Sequence, residues 1–287
     1  MMISFTAMDP ALFVAILTVL GLLVGSFLNV VIHRTPVMLE NDFRHECACL
    51  DLPKDTPPPS PPRYNLVVPR SACPHCGHLI GALENIPVIS WLCLRGKCRH
   101  CQAPISARYP LVELLTAGLT GGIAWQYGAT LPMLGMLVFT WMLIALIFID
   151  ADTSLLPDSL TLPLLWLGLL FNLDGSFTPL SEAVIGAVVG YLSLWSVYWA
   201  FKLLTGKEGM GYGDFKLLAA LGAWLGWKMI PVIILLSSLT GAVLGIIMIM
   251  LARHGMGKPM PFGPYLGIAG FVAMHWSTPL LVWYGLA

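Results

Sequence analysis

Residues 129–150 read ATLPMLGMLVFTWMLIALIFID, twenty-one uncharged positions that close on one aspartate, Asp150. A helix needs roughly 20 apolar residues to cross about 30 Å of hydrocarbon, so this run has the length of a membrane span and its aspartate marks the point of exit. Four further runs are as long: 10–32, 179–201, 229–252 and 265–286. The stretch 110–128 is Gly-rich and nearly uncharged, and 159–173 and 215–227 are apolar but shorter; short segments cross by thinning the bilayer or stop partway. The pattern predicts an all-α polytopic membrane protein with about eight transmembrane helices. Composition agrees, with 57% hydrophobic and only 10% charged residues and a mean hydropathy of +0.80. No soluble domain covers such a chain with polar surface. Fifteen Lys and Arg balance fifteen Asp and Glu, which gives no footing for a nucleic-acid partner; the surrounding partner is membrane lipid.

Basic residues collect in cytoplasmic loops, and their distribution sets the orientation. With both termini outside and eight crossings, one cytoplasmic loop holds Arg34, Arg44, Lys54, Arg63, Arg70, Arg95, Lys97, Arg99 and Arg108, and later loops hold Lys202, Lys207, Lys216, Arg253 and Lys258. Only Lys228 falls outside. The first nine residues lack the basic stretch of a secretory signal, so the first run is expected to stay as a membrane helix. Three parts follow: a first transmembrane helix over 1–32, a cytoplasmic loop over 33–109, and a membrane domain over 110–287.

The loop contains all seven cysteines. Asp55 to Pro62, DTPPPSPP, reads as a polyproline-type spacer, whereas Cys73-Pro74-His75-Cys76 and Cys98-Arg99-His100-Cys101 are two C-x-x-C knuckles twenty-one residues apart. Four thiolates at that spacing close a tetrahedral zinc site; two disulfides are the other reading, disfavoured in a reducing compartment. With four sulfur ligands the zinc is structural, since no position stays open for water. Cys47, Cys49 and Cys93 fall outside the pattern, and His45, His75, His78 and His100 read as solvated loop residues with the chemistry to replace a cysteine ligand.

Ionisable groups in membrane helices are expensive and mark function. Asp150 ends one apolar run, and Asp214 closes Gly209-Met210-Gly211-Tyr212-Gly213-Asp214 before another. Two carboxylates that share a proton activate water against a peptide carbonyl, one as base and one as acid. Gly211 and Gly213 fit as supporting residues because they let the backbone bend and a substrate strand approach; a plain turn with Asp214 as helix cap is the competing reading. Asp158 looks like the cap of the helix it begins, and Asp152 lies farther from the hydrocarbon. Glu113 is either functional or the partner of an interfacial arginine, while Asp9, Asp174 and Glu182 read as solvated.

These residues resemble the type IV prepilin peptidase family, through nearly the whole chain. Gly25-Ser26-Phe27-Leu28-Asn29-Val30-Val31-Ile32-His33-Arg34 is similar to its first-helix signature, and the double C-x-x-C loop to its bifunctional bacterial members. Glu84-Asn85-Ile86-Pro87 and Arg108-Tyr109-Pro110-Leu111-Val112-Glu113 resemble the flanking segments. Asp150 with Leu156-Pro157-Asp158, then Gly211-Tyr212-Gly213-Asp214-Phe215-Lys216, resemble the two aspartate motifs, with Lys216 as a further supporting residue, and Pro261-Phe262-Gly263-Pro264 the C-terminal one. The resemblance implies a multi-pass enzyme of the bacterial inner membrane. It would remove the basic leader from type IV prepilins and type II secretion pseudopilins through Asp150 and Asp214 at the cytoplasmic face, then N-methylate the new N-terminus with S-adenosylmethionine. No glycine-rich nucleotide fingerprint is present, and the loop is too small for a doubly wound methyltransferase domain, so the donor pocket is expected to combine the zinc loop with helix ends. A peptidase without methyltransferase activity is one alternative. A metal-ion transporter is another, but it would place paired carboxylates near mid-bilayer in repeated helices.

Overall fold

The computed structural model describes residues 9–50, 63–250, 261–277, 279 and 282. The proline-rich spacer 55–62, Arg253, Lys258 and most of the end of the last apolar run lie outside them. The described chain is helical, with two isolated antiparallel bridges, Ala72–Leu79 and Lys97–Pro104, and no strand among those residues. It forms two compact units, Met1–Ala129 and Thr130–Ala287.

The first unit pairs α1 (Pro10–Leu50) with α3 (Arg108–Tyr127), joined by the cysteine loop and a short α2 (Ile89–Cys93). Small residues set the closeness of the pair. A Cβ on Gly21 would stand 2.8 Å from Ala117 Cα, one on Gly25 2.7 Å from Glu113 Cα, and one on Gly121 would meet the Thr18 hydroxyl. Contacts that run 18, 21, 25 on α1 against 121, 117, 113 on α3 make the helices antiparallel, with backbones in direct contact as small-residue pairs permit in lipid. Helix α1 does not end at residue 32. It runs on to Leu50, so the charged segment 33–50, expected as the start of a loop, is a helical extension. Arg34 on it is buried and donates to the carbonyls of Asn65 (2.8 Å) and Pro69 (2.6 Å), which pins the returning loop to the helix.

The second unit contains α4 (Leu131–Thr153), α5 (Asp158–Phe171), α6 (Leu180–Thr205), α7 (Tyr212–Leu225), α8 (Ile230–Met250) and α9 (Gly263–His275). Helix α7 is its centre, with every residue from Leu217 to Trp224 buried, and α5, α6 and α9 pack around it. Gly186 of α6 faces Gly222 of α7 so closely that a Cβ on either would strike the other's carbonyl oxygen, and a Cβ on Gly190 would lie 2.6 Å from Leu218 O. At the far end Trp224 packs on Phe139, Phe171 and Phe177 and donates to Leu164 O at 2.8 Å. Asn172 is fully buried yet fully bonded. Its amide donates to Ala223 O and Trp224 O, the last carbonyls of α7, and its oxygen accepts from Phe177 and Thr178 amides, so no polar atom is left orphaned. Glu182, expected as solvated, pairs with Lys228 at 3.2 Å.

All eight apolar runs fall on helices, α1 and α3 to α9. Among the described residues four helices are long and apolar enough to cross a membrane: Pro10–Leu50, Leu131–Thr153, Leu180–Thr205 and Trp227–Ile247. Helices α5 and α7 have 14 residues each, about 21 Å at 1.5 Å per residue, short of a full crossing. Their shortness follows from Pro157 and Gly211, which precede the first helical residues, and from Asn172 and Gly226, which end them.

The glycine contact yields a stability prediction. Gly222→Ala should destabilise the protein by about 1–3 kcal/mol, the usual cost of overpacking, whereas Gly118→Ala, on α3 with nothing within 4 Å of a new Cβ, should be neutral or slightly stabilising. Thermal unfolding of the detergent-solubilised variants measures both.

Candidate functional site

Asp150 lies in the last turn of α4, where Ser154, at a left-handed φ of 53°, closes the helix by donating its amide to Asp150 O at 2.8 Å. Asp214 is the third residue of α7, behind the cap Gly211. Both carboxylates are buried, with 4% and 7% of their residues exposed. Leu156 fills the space beside them. A Cβ on Gly213 would stand 2.7 Å from Leu156 Cβ, and a Cβ on Gly263 would stand 3.1 Å from Leu156 Cδ1 and 2.6 Å from Asp150 Oδ2. That oxygen of Asp150 is buried and has no hydrogen-bond partner among the described residues. A buried carboxylate packed on the Gly263 backbone, with so few groups to bond it, is a place for a proton or a reacting group.

Neither Gly211 nor Gly213 takes a positive φ; Gly213 is required by the closeness of Leu156, and Gly211 by no steric contact under 3.9 Å. Lys216 turns away from the aspartates and holds both oxygens of Asp158 at 2.7 Å, so it ties α7 to α5. Asp158 is therefore an ion-pair partner, and Pro157 is the capping residue. Asp152 is exposed. Aromatic residues Tyr191, Tyr198, Tyr212 and Phe215 stack beside the entry to α7, and Lys202 bonds Glu208 at 2.8 Å, closing the α6–α7 loop. Gly263, in Pro261-Phe262-Gly263-Pro264, is the site residue that reasoning from reactive groups passes over, since glycine carries none.

In the first unit the cysteine loop forms two matching turns. Cys73 N donates to His78 O and Gly77 N to Cys73 O; twenty-five positions on, Cys98 N donates to Ala103 O and Gln102 N to Cys98 O. Gly77 and Gln102 occupy equivalent left-handed positions, φ 70° and 60°. The sulfurs of Cys73, Cys76, Cys98 and Cys101 lie within 4.8 Å of one another, and Cys73 and Cys101 are 3.8 Å apart. A tetrahedron with zinc–sulfur bonds of about 2.3 Å has edges of about 3.8 Å, so the donor set fits zinc. The His75 and Cys76 amides pull the Cys73 thiol down to about 7, and those of Cys101 and His100 lower Cys98. Cys76 goes the other way: despite the His78 amide, desolvation and the neighbouring sulfurs carry it to about 12. Four sulfurs this close ionise together only around a cation. Cys47, Cys49 and Cys93 stand outside the cluster. His78 stacks on His100, and Glu84 joins the turns, accepting from Gly81 N at 2.9 Å beside His78 and Arg99; the Gly81 amide holds its carboxyl below the usual range.

Glu113 has no arginine partner among the described residues. It accepts from Val88 N at 2.7 Å, with the Ser26 hydroxyl beside it. It lines a cavity of about 610 Å³ between the loop and the helix pair.

An apolar helical chain that buries two aspartates, one of them against Gly263, has the groups that a membrane-embedded aspartic peptidase needs. Residues 19–127 match the model of the bacterial peptidase A24 N-terminal domain and residues 137–246 that of the type IV leader peptidase family, and the chain belongs to this family. It is 61% identical over 275 residues to a prepilin leader peptidase/N-methyltransferase of Aeromonas hydrophila, which covers 96% of this chain and 94% of that one. It is 56% identical to one of Pseudomonas aeruginosa over 280 residues (97% and 96%), and 48% identical to one of Burkholderia pseudomallei over 282 residues (98% and 91%). No solved structure matches the chain.

Gly263→Ala should lower peptidase turnover by about a hundredfold, the scale of a misplacement of about 1 Å at a reacting group, because the new methyl displaces the Asp150 carboxylate. Turnover and membrane level of the variant, measured together, check it.

Proposed function

We propose that the chain cleaves the basic leader from type IV prepilins and type II secretion pseudopilins at the cytoplasmic face of the inner membrane and then methylates the new N-terminus with S-adenosylmethionine as donor. The observation that carries the cleavage is the buried pair Asp150 and Asp214, with the Asp150 carboxylate packed on the Gly263 backbone. One carboxylate takes a proton from water as it attacks the scissile carbonyl, and the other gives a proton to the oxygen and then to the leaving amine. The missing side chain at Gly263 is what lets the Asp150 carboxylate pack directly on the backbone.

The basic residues support the placement: were the chain to cross eight times with both termini outside, α5 and α7 crossing where the bilayer thins, fourteen of the fifteen Lys and Arg would lie on the cytoplasmic side. A substrate leader held there by positive charge, followed by an apolar helix, presents its scissile bond at the membrane edge. The four cysteines would hold zinc, whose part is to fix the loop, since four sulfurs leave no open position. The N-methylation rests on the names of the relatives, prepilin leader peptidase/N-methyltransferase, and on the cavity beside the loop. Gly213, packed on Leu156, and Lys216, bonded to Asp158, would support the pair by fixing α7, and Gly211 would do so as the residue that begins the helix.

Asp150→Asn and Asp214→Asn should each lower cleavage of a co-expressed prepilin by at least about a hundredfold, the range of a lost acid or base, at normal membrane levels. Near-full proteolysis by either variant removes that residue from the pair. Purified protein should carry one zinc, lost on Cys73→Ser or Cys98→Ser and kept when Cys47, Cys49 and Cys93 are replaced together; metal analysis of chelator-free protein well below one per chain defeats this part.

A further inference from the structure

The cavity in the first unit runs from the cysteine turns down to the helix pair, lined by Cys98 and Arg99 above and by Ser26, Asn29 and Glu113 below. Its volume of about 610 Å³ lies within the roughly 300–1,000 Å³ of small-molecule sites. One wall is Trp91, whose indole is fixed by a bond from Nε1 to Ile105 O at 3.1 Å. The floor is unusual. Glu113 is 7% exposed in a helix otherwise buried through Val112, Thr116, Ala117 and Thr120, and its partners are an amide and a hydroxyl, with no Lys or Arg paired to it among the described residues. A carboxylate buried without a cation suits a cationic ligand.

We propose that this cavity is the site of methyl transfer, taking a nucleoside-sulfonium donor against Trp91, with Glu113 as the group that accepts the proton of the substrate's N-terminal ammonium. The proposal rests on the N-methylation read above. Both reactants are cations, the donor at sulfur and the substrate at nitrogen. Towards the loop the cavity is lined by Arg34, Arg70, Arg99, His33, His75, His78 and Glu84; Glu84 is taken up by Gly81 N, His78 and Arg99 and Arg34 by the carbonyls of Asn65 and Pro69. Glu113 is the carboxylate without a cation among the described residues, at the level of Ser26 and Asn29 in the apolar part of α1. A freshly cut substrate has its amine at the top of an apolar helix, at the same boundary between lipid and water. Glu113 takes a proton from the ammonium, freeing the lone pair. The nitrogen attacks the methyl carbon, the carbon–sulfur bond breaks with its electron pair left on sulfur, and the donor departs as a neutral thioether. The methylated ammonium keeps the positive charge, and the proton on Glu113 passes to water. The base is needed because an amino terminus with its ordinary pKa of about 7.7–8.0 is mostly protonated at neutral pH.

The test uses the full-length protein in detergent with a prepilin substrate. Ultraviolet cross-linking of methyl-labelled S-adenosylmethionine, competed with S-adenosylhomocysteine, should place label between residues 64 and 113; label confined to 130–287 overturns the assignment. Glu113→Gln should cleave prepilin as the wild type does but methylate about a hundredfold more slowly at pH 6.5, with the deficit shrinking about tenfold by pH 8.5 as the amine loses its proton unaided. Glu113→Asp, which keeps the carboxylate, should keep the wild-type pH response even if slower. A deficit equal at both pH values, or wild-type methylation by Glu113→Gln, overturns the role of Glu113. Wild-type protein that cleaves but transfers no methyl group would instead overturn the N-methylation reading, and this proposal with it.

Discussion

Helices in lipid gain nothing by hiding apolar surface from one another, because acyl chains are as apolar as leucine; they hold together where backbones touch or polar groups pair. Each unit depends on such close contact. In the second, Gly186 and Gly190 let α6 lie directly on Gly222 and Leu218 of α7, and Asn172 and Lys216 fasten α5 to the two ends of the same helix. The position of Asp214 follows, since α7 is held on all sides before its first turn is reached. In the first, Gly21, Gly25 and Gly121 bring α1 against α3, and that approach buries Glu113.

A carboxylate oxygen left buried without a partner costs roughly 1–3 kcal/mol, and Asp150 Oδ2 is one. Such a cost persists only where packing fixes the backbone on either side. Here α4 is buried along Leu143 to Leu146 and at Ile149, and Ser154 stops it one turn later, so the side chain cannot swing out to water without unwinding that turn. Two carboxylates in one low-dielectric space also favour a shared proton over a double negative charge. The arrangement is therefore poorer as a scaffold than an apolar one and better as an acid–base pair, which is the usual sign of a site kept for chemistry.

What could be read from the sequence is what has local cause. Apolar runs give helices because spanning length is a property of one segment, and among the described residues each such run lies on a helix. The cysteine cluster is readable because C-x-x-C fixes two ligands within one turn, and the aspartates because a charge beside an apolar run is conspicuous. The parts that stayed hidden depend on distant contacts. Lys216 sits two residues after Asp214, and proximity suggested that it served the aspartate, but its partner Asp158 lies 58 positions away. Gly263 meets Asp150 from another helix, and a residue without a side chain leaves no chemical trace. The extension of α1 to Leu50 was hidden by charge, because polar residues end a membrane run without ending a helix.

The two proposed reactions ask for opposite surroundings, which gives a reason for two units. Peptide hydrolysis consumes water, so the aspartates need a route to it even within a low dielectric. Methyl transfer to an amine is spoiled by water, which solvates the lone pair and competes for the electrophilic carbon. A single site would compromise one of them. On the proposed reading, hydrolysis lies among α4, α7 and α9 and methyl transfer in the cavity of α1, α3 and the cysteine loop, where a zinc held by four sulfurs would have no position to activate water. The order of events is then set by chemistry, since the amine to be methylated does not exist until the peptide bond is cut.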